Sequence, residues 1–187
     1  MLMRAARTQA LLRVVLDMRP SDRQRVLDTF GSRRLEEVRS ALPIAWLPMR
    51  LHMVLSEGLR DVVGPVGALK AYREAMKATF DRPLLRNFVN LTAGIFGLTP
   101  KGLLGRSKEV YQLVTRGAGT LKHASLGVLE SEVSLEQFPA ASFSLDCYAE
   151  GLQGSLLAAV DLCKLAGQVE ITRRDPGGNV TFRVTWT

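Results

Sequence analysis

Apolar and polar residues alternate strictly at the end of the chain. Val180, Phe182, Val184 and Trp186 fall on one face and Asn179, Thr181, Arg183 and Thr185 on the other, the period of a half-buried antiparallel strand. With 168–174 and the turn Asp175–Asn179, this strand forms a hairpin. A second hairpin is predicted over 121–129 and 132–138. Between the two, 142–166 keeps a 3.6-residue period through Leu145, Tyr148, Leu152, Leu156, Ala159 and Cys163 and reads as one long helix. Cys147, Gly151, Gly154 and Ala158 give that helix a second face of small residues, suited to close approach by a sheet or another helix.

Helical periods dominate upstream. A first helix is expected over 1–18, with Ala5, Leu12, Val15 and Leu16 on its apolar face. Ser21 and Gln24 make a capping box for a second, closed by Gly31. A third starts at Ser32, with Leu35, Val38 and Leu42 aligned, and stops at Pro43. Trp46-Leu47-Pro48 introduces a helix through Leu51, Leu55, Leu59 and Val62, with Pro48 in its first turn. Gly64-Pro65 breaks the pattern, and 66–80 resumes it with Leu69, Tyr72, Met76 and Phe80. Pro83 opens a helix with Leu84, Phe88, Leu91 and Ile95 in line. Thr99-Pro100 opens another through Val114, ended by Gly117 and Gly119. The expected fold is α+β, over one domain of 1–187. A mainly helical layer (1–119) packs on an antiparallel sheet of about four strands, with the long helix between two hairpins (120–187).

Composition excludes several classes. The longest uncharged run, Asn87–Pro100, spans 14 residues and holds two Asn and two Gly, short of the ~20 apolar residues of a membrane-crossing helix. No secretory signal fits, because charges interrupt any apolar stretch near the start. The Arg-rich, acid-poor beginning (Arg4, Arg7, Arg13) suits a transit peptide or, on the apolar spacing, a first helix. The two cysteines, 147 and 163, lie 16 residues apart in one predicted helix, about 24 Å along its axis. They cannot pair with each other, and reduced thiols in a cytoplasmic protein are expected.

The net charge of +7 is unevenly spread. Residues 70–122 carry ten Lys/Arg against three Asp/Glu, while 123–164 carry six Asp/Glu against one Lys. Lys70, Arg73, Lys77, Arg82, Arg86, Lys101, Arg106 and Lys108 form a basic region that would attract acidic partners. Solvated helix faces would give the same pattern, and nucleic acid is not the expected partner.

Catalytic chemistry is hard to assemble from these residues. The histidines are His52 and His123, and a zinc site needs about four N, S or O ligands at characteristic spacings. No metal, haem or other cofactor is expected. Neither a G-x-S-x-G elbow nor a phosphate-binding G-x-x-x-x-G-K-[ST] loop occurs. Gly117-Ala118-Gly119 follows a helix and precedes a strand, the reverse of a dinucleotide loop, and reads as a turn. Glu130, Glu132 and Glu136 decorate a hairpin. The apolar segment 87–98, with Gly94 and Gly97 inside it, reads either as a core helix or as a cavity wall. In the second reading Phe88, Leu91, Ile95, Phe96, Tyr148 and Leu152 line a pocket for a small apolar ligand.

Trp46-Leu47-Pro48 before an amphipathic helix, the helix end from Tyr111 to Gly119, the hairpin–helix–hairpin order and the terminal Phe182-Arg183-Val184-Thr185-Trp186 strand resemble an uncharacterised bacterial family common in myxobacteria. That family is related in outline to vinyl-reductase-type small-molecule-binding domains, haem-NO-binding domains and the TRAPP core subunits. The resemblance implies helices on an antiparallel sheet, and ligand sensing or assembly rather than catalysis. Three departures stand out. The Tyr-x-Ser-x-Arg signature and histidine of the haem-binding relatives are missing. The turn Asp175-Pro176-Gly177-Gly178 has no cysteine, unlike the vinyl-reductase type. Both cysteines lie in the C-terminal helix, without a counterpart to the TRAPP lipid-modified residue. No functional residue carries over.

The expected function is therefore a non-enzymatic binding or scaffold module in bacterial signalling or assembly. A sensor holding a small apolar ligand is the alternative, and an unrecognised enzyme a third. Self-association as a homodimer, or docking of a protein partner, is expected through the N-terminal helices, whose Met49, Met53, Val54 and Met76 lie beyond a single apolar stripe.

Overall fold

The computed structural model describes residues 1–140 and 144–187, without the side chains of Leu84 and Phe96. Its architecture is α+β, with two antiparallel sheets and a helical layer. The four-stranded sheet holds β4 (Thr120–Ser125), β5 (Glu130–Glu136), β6 (Gly167–Arg174) and β7 (Val180–Trp186), in the order β4-β5-β7-β6. Each hairpin contributes a pair, and β5 joins β7 with Val133 opposite Phe182. Val180, Phe182 and Val184 are fully buried, as their alternation requires.

The long helix is α8 (Leu145–Leu162). Ser144 Oγ accepts from Cys147 N at 3.2 Å and caps it. The predicted start at Ser142 lies outside the described residues. Helix α8 packs along α4 (Met49–Phe80), which Gly64 (φ 72°) and Pro65 break into two arms as their types dictate. At Gly154 an added Cβ would come within 2.8 Å of Tyr72 Cβ and 2.9 Å of Arg73 N. The small-residue face therefore admits α4, not the sheet, at this point. Two forked ion pairs tie the same helices: Arg60 to Glu150 at 2.8 and 3.0 Å, and Arg73 to both oxygens of Asp161.

Several boundaries differ from the sequence pattern. The first residues form β1 (Leu2–Arg4) ahead of α1 (Ala5–Leu16), and Trp46–Pro48 is strand β2, so α4 begins at Met49 with Pro48 as N-cap. With β3 (Thr115–Arg116) they make a small sheet, β2-β1-β3. Strands of two or three residues are too short to show a period. Trp46 pins this sheet, with Arg4 and Arg116 guanidinium carbons 3.8 and 4.2 Å from its ring centre. Helix α2 (Pro20–Phe30) starts at Pro20 and Arg19 rather than on a Ser21 cap, and α3 (Ser32–Ser40) stops before Leu42, which is exposed.

Helix α5 (Pro83–Phe96) buries Leu85, Val89 and Thr92, one position beyond the predicted stripe. The predicted helix after Thr99 is two: α6 (Pro100–Leu104) and α7 (Ser107–Val114). Thr99 Oγ1 caps α6 by accepting from Gly102 N at 3.1 Å. No helix among the described residues is long and apolar enough to cross a membrane.

The methionines correct the association argument. Met49, Met53 and Met76 are buried and Val54 is partly buried against the core. They thicken the helical core and form no docking patch.

Candidate functional site

Where the helical layer meets the sheet, the core is incompletely filled. A cavity of about 90 Å³ lies there. Its walls come from β1 and α1 (Met3, Arg7), both arms of α4 (His52, Met53, Ser56, Met76, Phe80), α5 (Phe88, Val89), α6 and α7 (Leu103, Leu104, Ser107, Val110, Tyr111, Val114), α8 and the sheet. Helix α8 supplies Cys147, Tyr148, Gly151, Leu152, Ser155, Leu156 and Ala159, and the sheet supplies Leu121, Val133 and Phe182. Gly151 explains part of the void: an added Cβ would meet nothing within 4 Å.

The wall is mostly apolar, which makes its polar groups conspicuous. Arg7 is 7% exposed. It donates to Ser155 Oγ at 2.7 Å and lies 3.1 Å from Met76 Sδ. Burial pulls its pKa down to about 10, against weaker support from the Tyr148 and Tyr72 hydroxyls. His52 Nδ1 sits 3.4 Å from Thr8 Oγ1. Burial, and then the Arg7 charge, push this imidazole down to about 3, so it is neutral. Tyr111 donates to the Ala118 carbonyl at 2.6 Å, which leaves its oxygen to accept from Tyr148 at 2.7 Å. Phe138 stacks on Tyr148, ring centres 4.4 Å apart. Burial raises both tyrosine hydroxyls, and they stay protonated. Ser107 Oγ, in the first turn of α7, is buried with no hydrogen-bond partner among the described residues.

The expected pocket residues divide. Phe88, Tyr148 and Leu152 line the cavity. Leu91 and Ile95 are 64% and 63% exposed and do not, because α5 is turned so that Leu85 and Val89 face inward. The Phe96 side chain lies outside the described set. Arg7, His52 and Ser107 were not among the expected residues. Arg7 carried a signal: Met3, Arg7 and Leu11 share one helical spacing, with the charge inside an otherwise apolar face.

The basic region is partly neutralised. Arg73 and Lys77 engage Asp161, Lys77 also Glu74 at 2.7 Å, and Arg106 engages Glu109 at 2.9 Å. Lys70, Arg82, Arg86, Lys101 and Lys108 make no ion pair among the described residues. His123 lies away from the cavity, its Nε2 3.1 Å from Ser131 Oγ. Glu130 and Glu136 pair with Arg183 and Lys122 across the sheet. No group of three or more His, Cys, Asp or Glu among the described residues could hold a metal ion. A surface depression between α2, α3 and α4 is lined by Arg33, Arg34, Glu37 and Arg50 but has no buried polar group.

No family model and no curated protein sequence matches the chain. Solved structures do. The Fe(II) unliganded H-NOX protein from K. algicida superposes with a TM-score of 0.68 at 12% identity, covering 99% of this chain and 97% of that one. A point mutant of T. Tengcongensis H-NOX gives 0.63 at 13%, covering 99% and 98%. An oxygen-binding H-NOX domain related to soluble guanylate cyclases gives 0.62 at 14%, covering 99% and 95%.

A further H-NOX structure, on haem distortion in that family, sets a direct test of fit. Ligand pockets for larger molecules occupy about 300–1,000 Å³, and the cavity here has about 90 Å³. His52 is the one imidazole on its wall, and the Arg7 cation lies beside it. These residues, as packed, do not fit a porphyrin. At this level of identity the likeness is one of fold: the chain is built as the H-NOX proteins are.

Proposed function

We propose that this chain is a sensor-type binding module that holds a small ligand in the cavity between α1, α4, α7 and α8, and that it works without haem and without catalysis. One observation carries the reading: an apolar cavity at the helix–sheet junction, with Gly151 left open and a few polar groups converging on it. The fold shared with H-NOX proteins, some of whose structures carry an oxygen complex or unliganded Fe(II), supports ligand sensing over a pure scaffold role. The buried methionines remove the main argument for the scaffold reading.

Native mass spectrometry of the purified protein, with an absorption spectrum, tests this. The expected result is a co-purifying small molecule, or a mass shift on adding one, with no Soret band. A stoichiometric Soret band would overturn the haem-free part. A protein that takes up no small apolar molecule at any concentration would overturn the sensor reading. Self-association as a homodimer is a separate proposal, and sedimentation at micromolar concentration as a single monomeric species would refute it.

A further inference from the structure

Among the described residues Arg7 is the one buried arginine, and no carboxylate meets it. The contrast inside the same fold is plain. Arg60 and Arg73, both more exposed, each receive a forked carboxylate, from Glu150 and Asp161. Arg7 has a serine hydroxyl and a thioether instead. Each terminal guanidinium nitrogen thereby has one neutral partner, and neither partner carries a charge to offset the cation. A buried cation without a counter-charge is strongly unfavourable, and native proteins rarely keep one. Ser107 Oγ, buried and unpartnered, lines the same cavity. Together these are a cation and a hydroxyl waiting for an acceptor inside an apolar chamber.

We propose that the ligand is a small monocarboxylate, its carboxylate paired with the Arg7 guanidinium and its hydrocarbon lying against Met76, Phe80 and Leu156. The inference rests on the cavity reading above and names the ligand class. A planar carboxylate matches the guanidinium fork, accepting two parallel N–H bonds. A phosphate would bring more charge than one guanidinium offsets and more polar surface than this wall accepts. An uncharged ligand would leave Arg7 as it stands.

The methionines provide the readout. Met3, Met53 and Met76 line the cavity, and the other three, Met1, Met18 and Met49, do not. The full chain, labelled with ¹³C at the methionine methyls, is titrated with butanoate, with 1-butanol, and with toluene. Butanoate is expected to shift Met76 most, leave Met18 in place, and bind at least about tenfold more tightly than 1-butanol, as a charge-assisted pair should. Arg7→Leu should erase that preference while 1-butanol still binds, and Arg7→Lys should keep part of it. The wild-type comparison alone decides the matter if a variant folds poorly. Equal affinity for butanoate and 1-butanol, or a preference that survives Arg7→Leu, would overturn the carboxylate assignment and leave the cavity reading standing. No shift of the cavity methionines with any of the three, toluene included, would overturn both.

Discussion

Replacing Gly154 by Ala and, separately, Gly151 by Ala applies one methyl group at two points of the same helix, with opposite results. In a helix interior, Gly→Ala stabilises by about 0.5–1 kcal/mol through backbone entropy. At Gly151 nothing opposes that gain, since the new Cβ finds no atom within 4 Å. At Gly154 the Cβ would stand 2.8 Å from Tyr72 Cβ, 2.9 Å from Arg73 N and 3.1 Å from Leu69 O. Two of those atoms belong to the α4 backbone, so the helix itself must retreat. Overpacking of this kind costs about 1–3 kcal/mol, which exceeds the propensity gain. Retreat also strains the forks from Arg60 and Arg73 and the hydrogen bond from the Tyr72 hydroxyl to the Ser56 carbonyl, 3.1 Å. The two variants should differ by that overpacking cost, about 1–3 kcal/mol, in urea melts, Gly151→Ala above wild type and Gly154→Ala below. In a chain of this length that is a separation of roughly 2–12 °C in Tm. Equal stabilities within about 0.5 kcal/mol, or a stabilised Gly154→Ala, would show that α4 and α8 do not meet as described.

Three further outcomes are expected. Phe182→Ala, at the centre of the sheet, should lose about 3–5 kcal/mol in urea melts, and a loss under about 1 kcal/mol would mean a wrong register. His52 is held down to about 3 when folded; the unfolded chain therefore binds the extra proton below about pH 6.5, and acidification from pH 7 to 5 should cost about 2 kcal/mol. His123 adds loss of the same sign, Asp161 loses its contribution only as pH falls through the carboxylate range, below this window, and an unchanged slope in His52→Gln would refute the assignment. Burial pushes both Cys147 and Cys163 up to about 11, so alkylation at pH 8 should run about 100-fold slower than in the urea-unfolded chain; rates alike in both states would refute it.

What was readable in the sequence follows the length of each periodic segment. The alternation from Val180 to Trp186 and the 3.6 period from Leu145 onward each repeat often enough to define an inward face; the strand face is buried throughout, and the helix face is buried at Tyr148, Leu156 and Ala159 and partly buried at Leu145, Leu152 and Cys163. Strands β1, β2 and β3 span two or three residues, and their pairing depends on partners more than forty residues away. The phase of α5 failed for a different reason: Leu84, Leu85, Phe88, Val89, Leu91 and Ile95 offer two apolar faces, and only packing against α4 and α6 chooses between them. The cavity was half visible. Apolar wall residues such as Phe88, Tyr148 and Leu152 follow from helix spacing, but a void is the volume that side chains fail to fill, and no pattern of residue types encodes it. Arg7 was hidden by its company, one of several arginines in a basic start, although its place between Met3 and Leu11 marked it as inward-facing.

The Asp175–Asn179 turn looks like ordinary surface punctuation, yet it is bolted to the interior. Gly178 (φ 82°) approaches so closely that a Cβ there would stand 1.9 Å from the Phe138 carbonyl oxygen, while Phe138 N donates to Gly178 O at 3.1 Å. Phe138 in turn stacks on Tyr148 in the cavity wall. A turn that normally tolerates change is thus closed to engineering: an epitope tag or fluorophore inserted there would be felt in the chamber. The tip near Val128, 85% exposed at the other hairpin, is the place where a reporter can be grafted without disturbing what it is meant to watch.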